Sequence, residues 1–140
     1  MDTRHVGSVD YAWDFYGCRG DVLSLPAKKL EKLLVEDVRA AGFTLIDHVF
    51  HRFGPDGAIS FLALIEESHV AIHGAPENGK LLEITIHTCI VEGTFTSASP
   101  EKKKERLFRL WAGRFSPEKI DSFPERRRGA QLVAITQEED

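Results

Sequence analysis

Ile59-Ser60-Phe61-Leu62-Ala63-Leu64-Ile65-Glu66-Glu67-Ser68-His69-Val70-Ala71-Ile72-His73 is a largely apolar stretch interrupted by the polar Glu66-Glu67-Ser68-His69. Ile59 to Glu66 has the composition of a strand, and apolar alternation resumes from His69 to His73, with Ser68 at the junction. Upstream, Phe43 to Arg52 is rich in β-branched and aromatic residues, and Gly54-Pro55-Asp56-Gly57 turns it into Ile59 as a hairpin. Downstream, Pro76-Glu77-Asn78-Gly79 is another turn, and Leu81 to Val91 reads as a strand ending near Cys89. Consecutive strands joined by short turns pair antiparallel, so the middle of the chain is a meander.

The flanks supply the second layer. Tyr11 to Gly17 alternates Tyr11, Trp13 and Phe15 with smaller or polar residues, which predicts a strand with its aromatics on one face. Pro26 opens a helix at a position where its missing N–H costs nothing, and Leu30, Leu33, Leu34 and Val38 form a stripe that stops at Gly42. Ser99-Pro100 is a cap followed by a first-turn proline, and Leu107, Phe108, Leu110 and Trp111 are the buried side of the helix it begins. Phe115 to Pro124 reads as a loop or short turn, Ala130 to Thr136 as a last strand, and Gln137 to Asp140 as a frayed acidic tail. The expected fold is α+β: a two-layer α/β sandwich whose mainly antiparallel sheet is covered on one face by helices. It is expected as a single domain over residues 1–140.

Composition narrows the function classes. With 42% hydrophobic and 29% charged residues the chain reads as soluble and globular, and its net charge of -4 disfavours a nucleic-acid partner. Arg126-Arg127-Arg128 is a basic cluster and reads as a solvated strand entrance. No apolar run approaches the roughly 20 residues of a membrane helix, and the amino terminus lacks the apolar stretch of a signal peptide. Cys18 and Cys89 lack metal-site spacing and read as reduced thiols, which places the protein in the cytoplasm with no metal. A chain of 140 residues is also of the size at which folds often complete themselves by dimerising.

Read by residue type alone, Ser68 is a strand-end serine, His73 a core histidine and Cys89 a small buried hydrophobe. Their setting adds to this: Phe50-His51-Arg52-Phe53-Gly54 precedes Glu67-Ser68-His69, and His73-Gly74-Ala75-Pro76-Glu77 and Thr88-Cys89 follow it. That order resembles the prokaryotic S-adenosylmethionine decarboxylases, which make a covalent pyruvoyl group from an internal serine, and the likeness extends from Tyr16-Gly17-Cys18 to about Gly129. The resemblance implies self-cleavage between Glu67 and Ser68, leaving residues 1–67 and 68–140 with the pyruvoyl cofactor at Ser68. It implies that His73 is the base of processing, assisted by Ser60, and that Cys89 is the catalytic acid. A thiol with a reference pKa of about 8.5 is largely protonated at neutral pH and can deliver a proton to the substrate carbon. It further implies that Phe53 stacks on the adenine of a small-molecule substrate, that Glu77 binds the ribose, and that the processed protomers form a homodimer serving polyamine synthesis. The odd spacing of Ser68 and His73 sends them to opposite faces of an ideal strand, so a kink is expected between them.

Several positions depart from the family pattern. Gly74-Ala75 replaces Thr-Trp, Ile90 replaces a glycine after the cysteine, and the acidic residue usual before Thr-Cys is out of register at Glu83, with Thr85, Ile86 and His87 in between. These are pocket positions, so two substrates stay open under one chemistry: S-adenosylmethionine, or a basic amino acid such as arginine or ornithine paired by Asp14, Glu66 or Glu83. A non-catalytic homologue that pairs with an active partner is the remaining alternative, and it is disfavoured by the intact Ser68, His73 and Cys89.

Overall fold

A computed structural model describes residues 4–19, 21–54, 58–75, 81–92 and 99–129. The chain runs β1 (Arg4–Tyr16), a single 3-10 turn (Asp21–Ser24), α1 (Ala27–Ala40), β2 (Leu45–Arg52), β3 (Ile59–Ile65), β4 (Ser68–Ala75), β5 (Leu81–Glu92), α2 (Pro100–Phe115), β6 (Lys119–Ser122) and β7 (Arg126–Arg128). The sheet order is β2-β3-β4-β5-β1-β6, with β7 also on β1, and every pairing is antiparallel. The meander expected from residues 43–91 is the contiguous half β2-β3-β4-β5, and β1 closes onto β5.

Alternation along β1, β3, β4 and β5 sends one side chain in two into a common core. Val9, Tyr11, Trp13 and Phe15 of β1 join Ile59, Phe61, Ala63 and Ile65 of β3 and Leu82, Ile84 and Ile86 of β5. Leu30, Leu34 and Val38 of α1 and Leu107, Trp111 and Phe115 of α2 lie in the same cluster, so both helices cover that face. Both helix ends follow from their sequences. The Ser99 side chain accepts from the Lys102 N–H at α2, and α1 stops where Gly42 takes φ +102°. The helices are also tied to each other. Asp37, 2% exposed, accepts the Arg114 guanidinium at 2.6 and 2.7 Å and the Trp111 indole N–H at 3.1 Å.

Three details differ from expectation. β1 begins at Arg4 rather than Tyr11: Ser8-Val9-Asp10 continues the same polar–apolar alternation, and the backbone pairs with β5 back to Arg4. A loop was expected over Phe115–Pro124, yet Lys119–Ser122 adds to β1 as an edge strand, a pairing that four residues cannot announce locally. The arginine cluster is itself a short, exposed strand, and it approaches β1 closely because Gly7 lacks a Cβ that would strike the Arg128 carbonyl. The expected last strand over Ala130–Thr136 and the acidic tail lie outside the described residues, as does the turn Pro76–Gly79.

Candidate active site

The face of the sheet away from the helices carries the polar side chains, and strand register arranges them in rows. In one row His73 stands between Ser60 and Glu83, with His51 beyond Ser60 and Asp14 beyond Glu83. In another, His69 stands between Leu64 and His87, with Asp10 beyond His87. Ser68 pairs with Thr88, the neighbour of Cys89.

The Glu67–Ser68 junction is held at several points. The Glu67 carbonyl oxygen accepts the Cys89 backbone N–H at 2.7 Å. The Glu67 carboxylate is 2.7 Å from Lys103 Nζ of α2 and accepts the Thr44 backbone N–H at 3.2 Å. That ion pair is largely buried, with side-chain exposures of 6% for Lys103 and 15% for Glu67, where a lone charge is costly. Ser68 itself has φ +147°, a backbone state rare for a residue with a Cβ. The kink expected between Ser68 and His73 is absent: β4 runs unbroken from Ser68 to Ala75, and the unusual backbone is confined to Ser68 at its start.

Ser68 Oγ lies 2.6 Å from His87 Nδ1 and 3.3 Å from His69 Nδ1. The two imidazoles stack at 4.9 Å with a 7° interplanar angle, and His87 Nε2 is 3.8 Å from Asp10 Oδ1. Partial burial and the adjacent His87 push the His69 pKa down, with Asp10 opposing. His73 is elsewhere. It is hydrogen-bonded through Nδ1 to Ser60 Oγ at 3.0 Å, and among the described residues no hydrogen bond joins it to Ser68. Five residues of strand put Ser68 and His73 about 16 Å apart along β4. The structure therefore unites Ser60 with His73 on the open face, and Glu67 with Ser68 and the Cys89 backbone at the other end of β4, where the Glu67 carboxylate turns to α2.

Phe53, 55% exposed, packs edge-on against His51 at 4.5 Å, and His51 is the cross-strand neighbour of Ser60, so Phe53 belongs to the His73 end. Glu77 lies outside the described residues. Cys18 is in the core. Three residues of the Ser68 cluster escaped sequence reading: His87, Asp10 and Lys103. The signal for His87 was available, since residues 83, 85, 87 and 89 share a strand face and put its imidazole beside the Cys89 thiol. No spacing rule could have supplied Asp10 or Lys103. Among the described residues no group of three or more His, Cys, Asp or Glu is placed to hold a metal ion, and no helix is long and apolar enough to cross a membrane.

The family model described as S-adenosylmethionine decarboxylase matches residues 10–128. An S-adenosylmethionine decarboxylase proenzyme of Syntrophomonas wolfei is 41% identical over 76 residues, 54% of this chain and 58% of that protein, so the chain spans less than two thirds of that relative. A proenzyme of the same name from Pyrobaculum arsenaticum is 33% identical over 110 residues, 79% of each chain. The crystal structure of the adenosylmethionine decarboxylase from Aquifex aeolicus shares the fold, with a TM-score of 0.64 and 23% identity over 89% of this chain and 90% of that one. With the family model matching most of its length, this chain belongs to the S-adenosylmethionine decarboxylase family.

Proposed function

We propose that the chain is the precursor of a pyruvoyl-dependent decarboxylase of S-adenosylmethionine that cleaves itself between Glu67 and Ser68. The observation that carries this reading is the state of that one peptide bond. Its carbonyl oxygen is polarised by the Cys89 N–H, its P1 side chain is anchored to Lys103, and its serine hydroxyl rests on an imidazole. A donor on the carbonyl oxygen and a base on the nucleophile are what attack on an amide requires. The local residues fit a pyruvoyl group at Ser68, because the bond that must break to form it is exposed to nucleophile, base and donor together. Once formed, such a group acts as an electron sink for carboxylate loss from an amine it has bound. The Cys89 thiol, on the outer face of β5, supplies the returning proton.

His73 and Ser60 enter through a second copy. They share the open face with Ser68 but lie about 16 Å along β4 from it, and on β3 the exposed apolar Leu62 lies between the two rows with exposed Leu64 in the His69 row. Packing two such faces about a two-fold axis covers those leucines and brings the His73–Ser60 pair of one protomer over Ser68 of the other. Phe53 travels with that pair and stacks on the adenine, while Glu77 binds the ribose. The Asp14–Glu83 neighbours on the same face favour a cationic substrate, which suits a sulfonium or a basic amino acid. Intact-mass measurement and carbon dioxide release from S-adenosylmethionine, arginine and ornithine test the reading. Two fragments of 67 and 73 residues with turnover of S-adenosylmethionine are expected. A lasting single species of 140 residues rejects self-cleavage, and turnover of only arginine or ornithine rejects the substrate.

A further inference from the structure

We propose that His87 is the base that takes the Ser68 hydroxyl proton in the first step of self-cleavage, with Asp10 as its positioning residue. The inference rests on the self-processing reading above and assigns a proton that His73, at the other end of the face, does not reach within its own protomer. His87 Nδ1 is 2.6 Å from Ser68 Oγ, a strong hydrogen-bond distance, whereas His69 Nδ1 is 3.3 Å away. For Nδ1 to accept from the hydroxyl, the ring proton sits on Nε2, the nitrogen that faces Asp10 Oδ1 at 3.8 Å. The carboxylate favours that tautomer and stabilises the imidazolium formed when the proton arrives. Asp10 is in turn 3.8 Å from Arg128 Nε of β7, and His69 stacks flat on the ring, so His87 is bounded on two sides.

The step balances without a co-reactant. Ser68 Oγ gives its proton to His87 Nδ1 and bonds to the Glu67 carbonyl carbon, whose oxygen becomes negative against the Cys89 N–H. His87 returns the proton to the Ser68 nitrogen as the carbon–nitrogen bond breaks, leaving an ester between Glu67 and Ser68 Oγ. Removal of the Ser68 α-proton then expels the Glu67 carboxylate and leaves a dehydroalanine, which water converts to the ketone and ammonia. His73 serves that second stage. Two histidines thus divide the reaction, one for each proton.

The division is testable in time courses of full-length precursor made by cell-free synthesis and followed by intact mass, with and without hydroxylamine, which cuts esters. Wild type is expected to yield the two fragments. His87→Gln and His87→Asn are expected to process about 10²-fold more slowly or worse, without a hydroxylamine-sensitive species, as for loss of a general base. His73→Gln is expected to accumulate that ester. Added imidazole is expected to restore cleavage to His87→Ala, which shows that this variant is folded. Asp10→Asn is expected to slow wild type but not His87→Ala assayed with imidazole, a non-additivity that a purely structural residue would not show. Processing of both His87→Gln and His87→Asn at the wild-type rate, or ester accumulation in them, overturns the assignment. Failure of wild type to cleave overturns instead the self-processing reading on which it rests.

Discussion

The backbone N–H of Cys89 donates to the carbonyl oxygen of Glu67 at 2.7 Å, so the main chain of Cys89 and its thiol have separable parts in the chemistry. Cys89→Ala keeps the N–H and removes only the thiol. It is therefore expected to cleave, if more slowly, and to turn over poorly or inactivate as the returning proton is misdelivered. Ser68→Ala, which removes the nucleophile, is expected to remain at full length. Full and lasting decarboxylation by Cys89→Ala would make the thiol structural.

The second-copy reading predicts complementation. A Ser68→Ala chain keeps His73 and Ser60 but has nothing to cleave, while a His73→Ala chain keeps its serine. Co-expressed with different tags, the two are expected to mature more of the His73→Ala chain than that chain achieves alone. Equal processing with and without the partner would place His73 and Ser68 in action within a single protomer.

Lys103→Met leaves the Glu67 carboxylate buried without its cation. Breaking one side of a buried pair costs about 3 kcal/mol or more, and here the orphaned charge sits on the residue whose bond must break. Both a lowered unfolding midpoint in urea and slower maturation are expected. A variant as stable as wild type would mean that Glu67 finds another donor.

His69 gives stability a pH dependence of definite sign. Its folded-state pKa lies below the ordinary histidine value, so between the two the unfolded chain binds more protons. Stability is then lost as pH falls through the mid-sixes, and no further loss from this group occurs below its folded pKa. Thermal unfolding at pH 7.5 and 5.5 is expected to show a smaller acid-side drop in His69→Gln than in wild type. An unchanged drop would assign the acid sensitivity to other groups.

Phe53 is exposed at the end of β2 and makes its ring contact with His51, so its removal should disturb little of the core. Phe53→Ala is expected to raise KM for S-adenosylmethionine more than it lowers kcat, the mark of lost uniform binding. Stacking contributes roughly 1 kcal/mol, which corresponds to a several-fold change in KM. A fall in kcat at constant KM would place Phe53 in the chemical step.

Local physical chemistry determined the elements. Period-two alternation marked β3, β4 and β5, Ser99-Pro100 set the start of α2, and Gly42 ended α1. These features depend on neighbours a few residues apart, and so did the reading of Ser68 as a junction between strands. What surrounds Ser68 was decided only when strands paired. His87 reaches its hydroxyl across 19 residues because β5 lies beside β4, and Lys103 reaches Glu67 across 36 because α2 packs on the core face of the sheet. His73, five residues along, remains distant because an extended backbone keeps it so. Sequence proximity predicts contact along a helix or a turn, but in a sheet the partner of a side chain is set by register with another strand, which one segment read alone does not contain.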